Sequence, residues 1–442
     1  MYRICFDTFG CRLNQAETAS LTDRFRERGY EVTGDPLEAD LYVVNTCTLT
    51  SQATSKCRRK LRSVIRRNPD ACVAAIGCYA QTDAESLRKI PGIDYIVGTN
   101  DKLRLAEIIP SPDKLPEPLV VHNPVAKDTF TIDGAGHYPF TTRANLKVQE
   151  GCDFVCAFCI IPRARGRARS REFGNIIQEA KALAKSGHRE LIITGVNMGT
   201  YRDGGYTLGD VIKGLTDVDG LDRIRLSSIE PTTIEDSIIE EMANGSGKLC
   251  NYLHVPLQAG DTGVLEAMRR KYTAPEYREF MEMVVSRVPG VGLGTDIMVG
   301  FPGETDAAFE NSVEMITALP FTHIHVFSFS ARPRTTAFGM EKVPPPVVRA
   351  RSERMHRIGE MKKAEYYAAQ EGKSLRVLFE ERIADGTFVG FTDNYVKVSV
   401  VTGEDLSNRI EAVRVTGLSA PTSNEPLYAT GEIIPGACSQ VV

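Results

Sequence analysis

The run GCDFVCAFC (Gly151–Cys159) sets three thiols, Cys152, Cys156 and Cys159, in one short loop with C-x3-C-x2-C spacing. Iron–sulfur clusters are held by cysteine thiolates, normally four. Three thiolates leave one iron with an open position, which can take a substrate or cofactor as the open site of a catalytic metal does. The competing reading is a structural zinc knot completed by a distant ligand. Zinc sites favour paired C-x2-C units, and this loop has only one.

Outward from that loop, strands and helices alternate. TRANLKVQ precedes it, and the apolar runs ELIITG, RIRLSS, YLHV, LGTDIMVG and HIHVFSFS recur after it with helical patterns between. Strand and helix in regular alternation imply a parallel sheet flanked by helices. Six such units suggest an open, partial version of the eight-stranded α/β barrel, whose chemistry sits in the loops after the strands. The cysteine loop follows the first strand, where that rule places it.

The stretch before it alternates as well. RICFDTF, DLYVVNTC, ACVAAIGC and YIVG read as strands, with an amphipathic helix at QAETASLTDRFRERG and a long basic one at SQATSKCRRKLRSVIRR. This implies a doubly wound parallel α/β domain. Cys11, Cys47 and Cys78 each stand at a strand's carboxyl end, so sheet geometry can gather them into a second metal-binding trio. Singly, each would be an ordinary small buried residue. Cys5, Cys57, Cys72, Cys250 and Cys438 show no such pattern and read as structural. PSPDKLPEPL reads as a linker. After KVPPPVV a charged helix leads to short β runs with Gly, Asp and Asn turns, a small all-β barrel or sandwich. The expected domains are residues 1–124, 138–367 and 370–442.

The 442 residues exceed one core, and 42% hydrophobic with 25% charged residues is ordinary globular composition. No apolar run has the length of a membrane span. MYRICFDTFGC lacks the plan of a signal peptide, and a cytoplasmic protein is expected. Eleven cysteines in a long chain favour metal or catalysis over disulfides. The net charge of −4 gives no global pull toward nucleic acid, so any such pull is local. In PRARGRARSR, Arg163, Arg165, Arg167, Arg169 and Arg171 alternate, and an extended segment would put all five on one face for a phosphate backbone. KCRRKLRSVIRR is a second basic block, for which a solvated helix face is an equal explanation. Ser228, Glu230, His254, Gln258 and Asp296 put polar groups at the barrel's strand ends and are the candidate cofactor-binding residues.

Three blocks carry a family resemblance: TFGCRLNQAET with NTC and GCYAQ, then GCDFVCAFCIIPRARGRARSR, then the β module. On these the chain resembles the radical S-adenosylmethionine methylthiotransferases along nearly its whole length. The β module resembles a TRAM domain, a nucleic-acid-binding barrel. GCRLNQAET and CIIPRARG look most like the branch that acts on N6-threonylcarbamoyladenosine beside the tRNA anticodon (the MtaB type). Asp153, Arg163 and RPRTTA (Arg332–Ala337) depart from the family's usual residues. The resemblance implies a radical S-adenosylmethionine barrel between the two other domains. It also implies two [4Fe-4S] clusters, on Cys152, Cys156 and Cys159 and on Cys11, Cys47 and Cys78. The first would bind S-adenosylmethionine and the second would hold the transferred sulfur. Implied partners are a tRNA anticodon stem-loop and an electron donor such as flavodoxin or ferredoxin, and a monomer is expected. Isopentenyladenosine in tRNA and an aspartate of a ribosomal protein are the alternative substrates. A non-catalytic iron–sulfur RNA-binding protein is the alternative of another class.

Overall fold

The computed structural model describes residues 1–134, 142–384, 386–419 and 427–435, which leaves Cys438 outside the described residues. The first unit is one sheet of β1 (Arg3–Thr8), β2 (Glu31–Val32), β3 (Leu41–Thr46), β4 (Cys72–Gly77), β5 (Tyr95–Val97) and β6 (Leu119–Val121). Its order is β2-β1-β3-β4-β5-β6, all parallel. The helices are α1 (Arg12–Glu27), α2 (Ser51–Arg67), α3 (Cys78–Thr82), α4 (Ala84–Arg88) and α5 (Leu105–Ile108). Period-two alternation feeds two cores. Tyr42, Val44, Val73 and Ala75 pack with Cys57 and Leu61 of α2, while Leu41, Val43, Ala74 and Ile76 pack with Leu21 and Phe25 of α1. The strand order reverses between β1 and β3, and a crevice opens there at the carboxyl ends. Strands β2 and β6 were not expected. They are too short to show a period and exist by pairing with β1 and β5.

The second unit begins with β7 (Arg143–Lys147) and the ribbon of β8 (Gln149–Glu150) and β9 (Arg169–Ser170). β10 (Glu190–Thr194), β11 (Arg223–Leu226), β12 (Tyr252–His254), β13 (Gly292–Val299) and β14 (Phe321–Ser328) complete six parallel strands in sequence order. β11 and β12 meet through the bridges Ile224–Leu249 and Ser228–His254. The helices are α6 (Ile161–Arg165), α7 (Phe173–Lys185), α8 (Leu208–Thr216), α9 (Asp236–Asn244), α10 (Thr262–Ala267), α11 (Ala274–Arg287), α12 (Asp306–Ala318) and α13 (Pro345–Ala368). Ala144, Leu146, Leu191, Ile193 and Ile224 join the core beneath these helices. The alternate residues face the lumen and are largely polar. Glu190 aligns with Arg143 and Arg223, and Asp296 with His325.

The described strands leave the barrel open between β7 and β14. The first unit straddles that gap. Helix α1 packs on β7, and Ser51 at the start of α2 donates its N–H to Ser330 Oγ beyond β14 at 3.1 Å. The third unit is a closed barrel of β15 (Ser374–Ala384), β16 (Thr387–Thr392), β17 (Lys397–Val401), β18 (Ile410–Leu418) and β19 (Ala429–Ile433). It seats on the amino ends of the larger barrel. There Arg223 donates to Phe391 O at 2.9 Å, and Arg225 donates to Thr392 O and Asp393 O, each at 3.0 Å. Buried Glu190 neutralises these guanidiniums, at 2.7 Å from Arg225. No helix among the described residues is long and apolar enough to cross a membrane.

Candidate active site

The cysteine loop hangs between two backbone anchors. Ala157 donates its N–H to Met268 O at 2.9 Å, and Ala337 donates to Ala157 O at 2.8 Å. Gly151 enters the loop at φ +71, where a Cβ would lie 1.9 Å from Arg167 O. Arg270 reaches over the loop. Its Nη1 lies 3.4 Å from Cys156 Sγ, its Nη2 donates to Glu230, and its Nε donates to Tyr272 at 3.1 Å. Burial raises the Glu230 carboxyl above its ordinary range, against the pull of Arg270. Sequence reasoning found Glu230 but not Arg270, which sits in MRRKYT without any distinguishing pattern.

The other trio forms at the crevice of the first sheet. Cys11 caps α1 after β1, Cys47 follows β3, and Cys78 opens α3 after β4. Gly10 makes the approach possible: at φ +99, a Cβ there would lie 2.9 Å from Cys47 Sγ. One tetrahedral zinc at 2.3 Å from each sulfur would hold the thiolates about 3.8 Å apart. Neither trio brings its three sulfurs within 4.8 Å of one another, so both are wider than a single-ion site. Burial pushes Cys152 up to about 11, and Cys159 and Cys47 to about 12. It does the same to the structural Cys5 and Cys72, so the shift does not pick out ligands. In such surroundings a bound metal has to draw the proton off.

Beneath the dispersed trio lies a buried charge network joining the first two units. Lys147 Nζ is 2.8 Å from Glu17 and 2.7 Å from Glu150, and Arg165 Nη1 is 3.0 Å from Glu17 and 2.6 Å from Glu150. Lys102 also meets Glu17, and Arg169 meets Glu150 at 3.0 Å. Against burial, the cations hold Glu150 down to about 2, and Cys78, Glu17, Glu150 and Cys11 keep Arg165 charged.

The arginine run therefore needs correction. Residues Ile161–Arg165 form a helical turn and Gly166 reverses the chain at φ +78, so the five side chains do not share a face. Arg165 is 1% exposed and Arg171, bound to Glu179 and to Asn175, is 0% exposed, so neither can meet RNA. Arg169 is mostly buried on Glu150. Only Arg163, which donates to Arg334 O at 3.0 Å, and Arg167, beside Asp153, remain at the surface.

The barrel lumen holds a cavity of about 500 Å³ that reaches Cys11 of the dispersed trio. Cys11 and Arg12 of the first unit line it, with Ser228, His254, Asp296 and His325 of the barrel and Tyr395 of the third unit. His254 Nε2 is 3.0 Å and His325 Nδ1 3.2 Å from Asp296 Oδ1. These partners hold Asp296 ionised despite burial. Of the five expected cofactor-binding residues, Ser228, His254 and Asp296 share this cavity. Glu230 stands instead beside Cys156, and Gln258, at φ +67, bridges β13 through Asp296 O and Met298 N. His325 was missed although HIHVF alternates histidines toward one face.

Residues 3–98 match the model of "Uncharacterized protein family UPF0004", and residues 146–316 that of the radical SAM superfamily. The chain is 36% identical over 430 residues to threonylcarbamoyladenosine tRNA methylthiotransferase MtaB of Bacillus subtilis, covering 95% of each. The chain belongs to the radical S-adenosylmethionine methylthiotransferase family. It is also 34% identical to a tRNA-2-methylthio-N(6)-dimethylallyladenosine synthase of Cereibacter sphaeroides, over 95% of this chain and 97% of that one. Among solved structures, the radical S-adenosylmethionine methyltransferase TsrM of Kitasatospora setae shares the fold at a TM-score of 0.57 and 17% identity, over 76% and 75% of the two chains. As a radical S-adenosylmethionine methylthiotransferase, the protein is an enzyme that uses a [4Fe-4S] cluster with S-adenosylmethionine. The wide, three-thiol loop at Cys152–Cys159 fits that cluster.

Proposed function

We propose that this methylthiotransferase converts N6-threonylcarbamoyladenosine at position 37 of tRNA to its 2-methylthio derivative. The observation that supports the reading is the shared lumen, where Cys11 of the dispersed trio and the residues at the barrel's strand ends face one chamber. The likeness to MtaB of Bacillus subtilis supports this choice of base. When bound, two [4Fe-4S] clusters and S-adenosylmethionine supply a hydrogen-abstracting radical and a methylthio donor.

Cys152, Cys156 and Cys159 would hold one cluster, and Cys11, Cys47 and Cys78 the second. The second trio fits an anionic group on a separate ground. Two buried carboxylates, Glu17 and Glu150, face four cations, Lys102, Lys147, Arg165 and Arg169, and Nε of Arg165 is buried without a hydrogen-bond partner among the described residues. Arg270 orients Cys156, and Glu230 fixes Arg270. Ser228, His254 and Asp296 form the polar wall against which S-adenosylmethionine would lie, with Gln258 behind them. His325 is 59% exposed with Nδ1 on Asp296, which leaves Nε2 for a ligand, and Phe327 offers an exposed ring on which a flipped base can stack. The working unit would be a cytoplasmic monomer with domains at 1–124, 138–367 and 370–442, reduced by a flavodoxin or ferredoxin.

A second reading, methylthiolation of an aspartate in a basic ribosomal protein, is favoured by the third unit's charge. Residues 370–442 hold ten acidic and six basic side chains. Nucleoside mass spectrometry of tRNA from cells lacking the protein decides among the substrates. Loss of 2-methylthio-threonylcarbamoyladenosine is expected. Loss of the methylthio-isopentenyl nucleoside, or unchanged tRNA with an unmodified ribosomal aspartate, would replace the reading.

A further inference from the structure

Helix α2 buries Thr54, Cys57, Leu61 and Val64 against the first sheet. On its other side Lys56, Arg59, Arg62, Arg66 and Arg67 are exposed, and no ion pair joins any of them to a described residue. At 100° per residue these five fall within one arc of about 140°. The helix contains no acidic residue. A merely solvated face mixes signs, as α13 does with Glu353, Glu360 and Glu365 among its arginines and lysines. The basic residues of α2 that do find partners, Lys60 on Asp7 and Arg58 on Tyr79, lie outside the stripe's exposed set.

The stripe runs about 17 Å along the helix, and the helix starts at the seam between the first two units. There Arg332 donates to Thr48 Oγ1 at 3.0 Å and to Ser51 Oγ at 3.3 Å. It walls a cavity of about 580 Å³ together with Arg163, Arg334, His122 and Asp83. Thr48 and Ile160, also in that wall, adjoin Cys47 and Cys159. The positive surface thus leads from the outer face of α2 to the neighbourhood of both cysteine trios. The third unit carries ten acidic and six basic residues over 370–442, and its β16–β17 turn is seated on the barrel through Arg223 and Arg225.

We propose that the outer face of α2, continued by Arg163, Arg332 and Arg334, is the docking surface for the phosphate backbone of the RNA substrate. The proposal rests on the tRNA reading above and places a phosphate contact on the first unit. A linear stripe of one sign suits a linear polyanion, and each cation that neutralises a phosphate steepens the salt dependence of binding.

The test measures tRNA binding to the anaerobically reconstituted holoenzyme across a salt series. The variant is Arg59→Gln/Arg62→Gln/Arg66→Gln, and the control is Lys181→Gln/Lys185→Gln/Lys213→Gln on exposed faces of α7 and α8. All six side chains are exposed, so both proteins should melt with the wild type. The α2 variant is expected to bind at least about tenfold more weakly near 0.15 M salt. Its slope of log K against log salt should shrink by about 2 to 3, at roughly 0.7–0.9 per cation lost. The control should keep the wild-type curve. Equal affinity and slope in the α2 variant, or equal losses in the control, would overturn the proposal. Wild-type enzyme that binds no tRNA would instead overturn the substrate reading and the proposal with it. Intact tRNA binding with slowed reduction by an acidic flavodoxin would reassign the stripe to a protein partner and overturn it as well.

Discussion

The two cysteine trios are assembled by opposite routes. Cys152, Cys156 and Cys159 are neighbours in sequence, and their loop needs only Gly151 and two backbone anchors to take shape. Cys11, Cys47 and Cys78 come from three strand ends and meet because β1 and β3 flank the point where the sheet reverses its order. The first trio is local and rests on one arginine, Arg270. The second is topological and rests on a buried network, Glu17–Lys147–Arg165–Glu150, that spans two domains. The difference implies that the loop can be disabled alone, whereas damage beneath the dispersed trio spreads to the domain contact.

The sharpest break is Cys156→Ala. It should halve the iron content and abolish deoxyadenosine release from S-adenosylmethionine, and unchanged iron would contradict the assignment. Cys47→Ala should also lower iron but leave cofactor cleavage intact while methylthio product vanishes, and full product formation would refute the second site. Arg165→Gln should cost about 3–5 kcal/mol in chemical denaturation, because it strips one partner from a buried charge network. The same variant should release iron from the dispersed trio first, seen as partial loss of iron with the loop's activity on S-adenosylmethionine retained. Arg270→Gln should lower turnover by about 10–100-fold, the scale of losing a group that orients a ligand. It should cost less stability than Arg165→Gln, because it breaks a single buried pair, with Glu230, instead of a network. An equal loss of stability there would erase the contrast.

The gentlest probe is acid, applied to metal-free protein. Glu150 is held at about 2 in the fold against 4.5 for a free carboxyl. As pH falls below 4.5 the unfolded chain takes the proton first, so the stability Glu150 contributes is full above 4.5 and fades toward 2. Glu230 is raised, so its sign is opposite and it gains nothing from staying ionised. Urea midpoints between pH 5 and 3 should therefore fall, and Glu150→Gln should flatten the fall by on the order of 1 kcal/mol. A slope unchanged in that variant would remove Glu150 from the account.

Much of this was legible in the chain because its signals are short-range. C-x3-C-x2-C is a spacing, the strands announce themselves by apolar runs, and α2 occupies Ser51–Arg67 as its pattern implies. The gathering of Cys11, Cys47 and Cys78 followed from the α/β order alone. The arginine run misled because its meaning is long-range. Arg165 pairs with Glu17, 148 positions away, and no local rule separates a guanidinium bound for a buried carboxylate from one bound for solvent. The polar lumen was written in the sequence as RIR and HIH alternation within buried strands, a period-two signal hidden by the expectation of apolar parallel strands. Arg270 carried no signal at all.

Tyr395, on the turn between β16 and β17, packs its ring against Tyr252 at 4.6 Å, lies 4.9 Å from the Arg225 guanidinium, and shares the wall of the cavity with Cys11. The C-terminal module is thus a stopper for the lumen as well as an appendage to the barrel. An exchange of that module between relatives would re-cut the floor of the cavity, so the shape of the lumen and the sequence of the β16–β17 turn cannot drift apart independently.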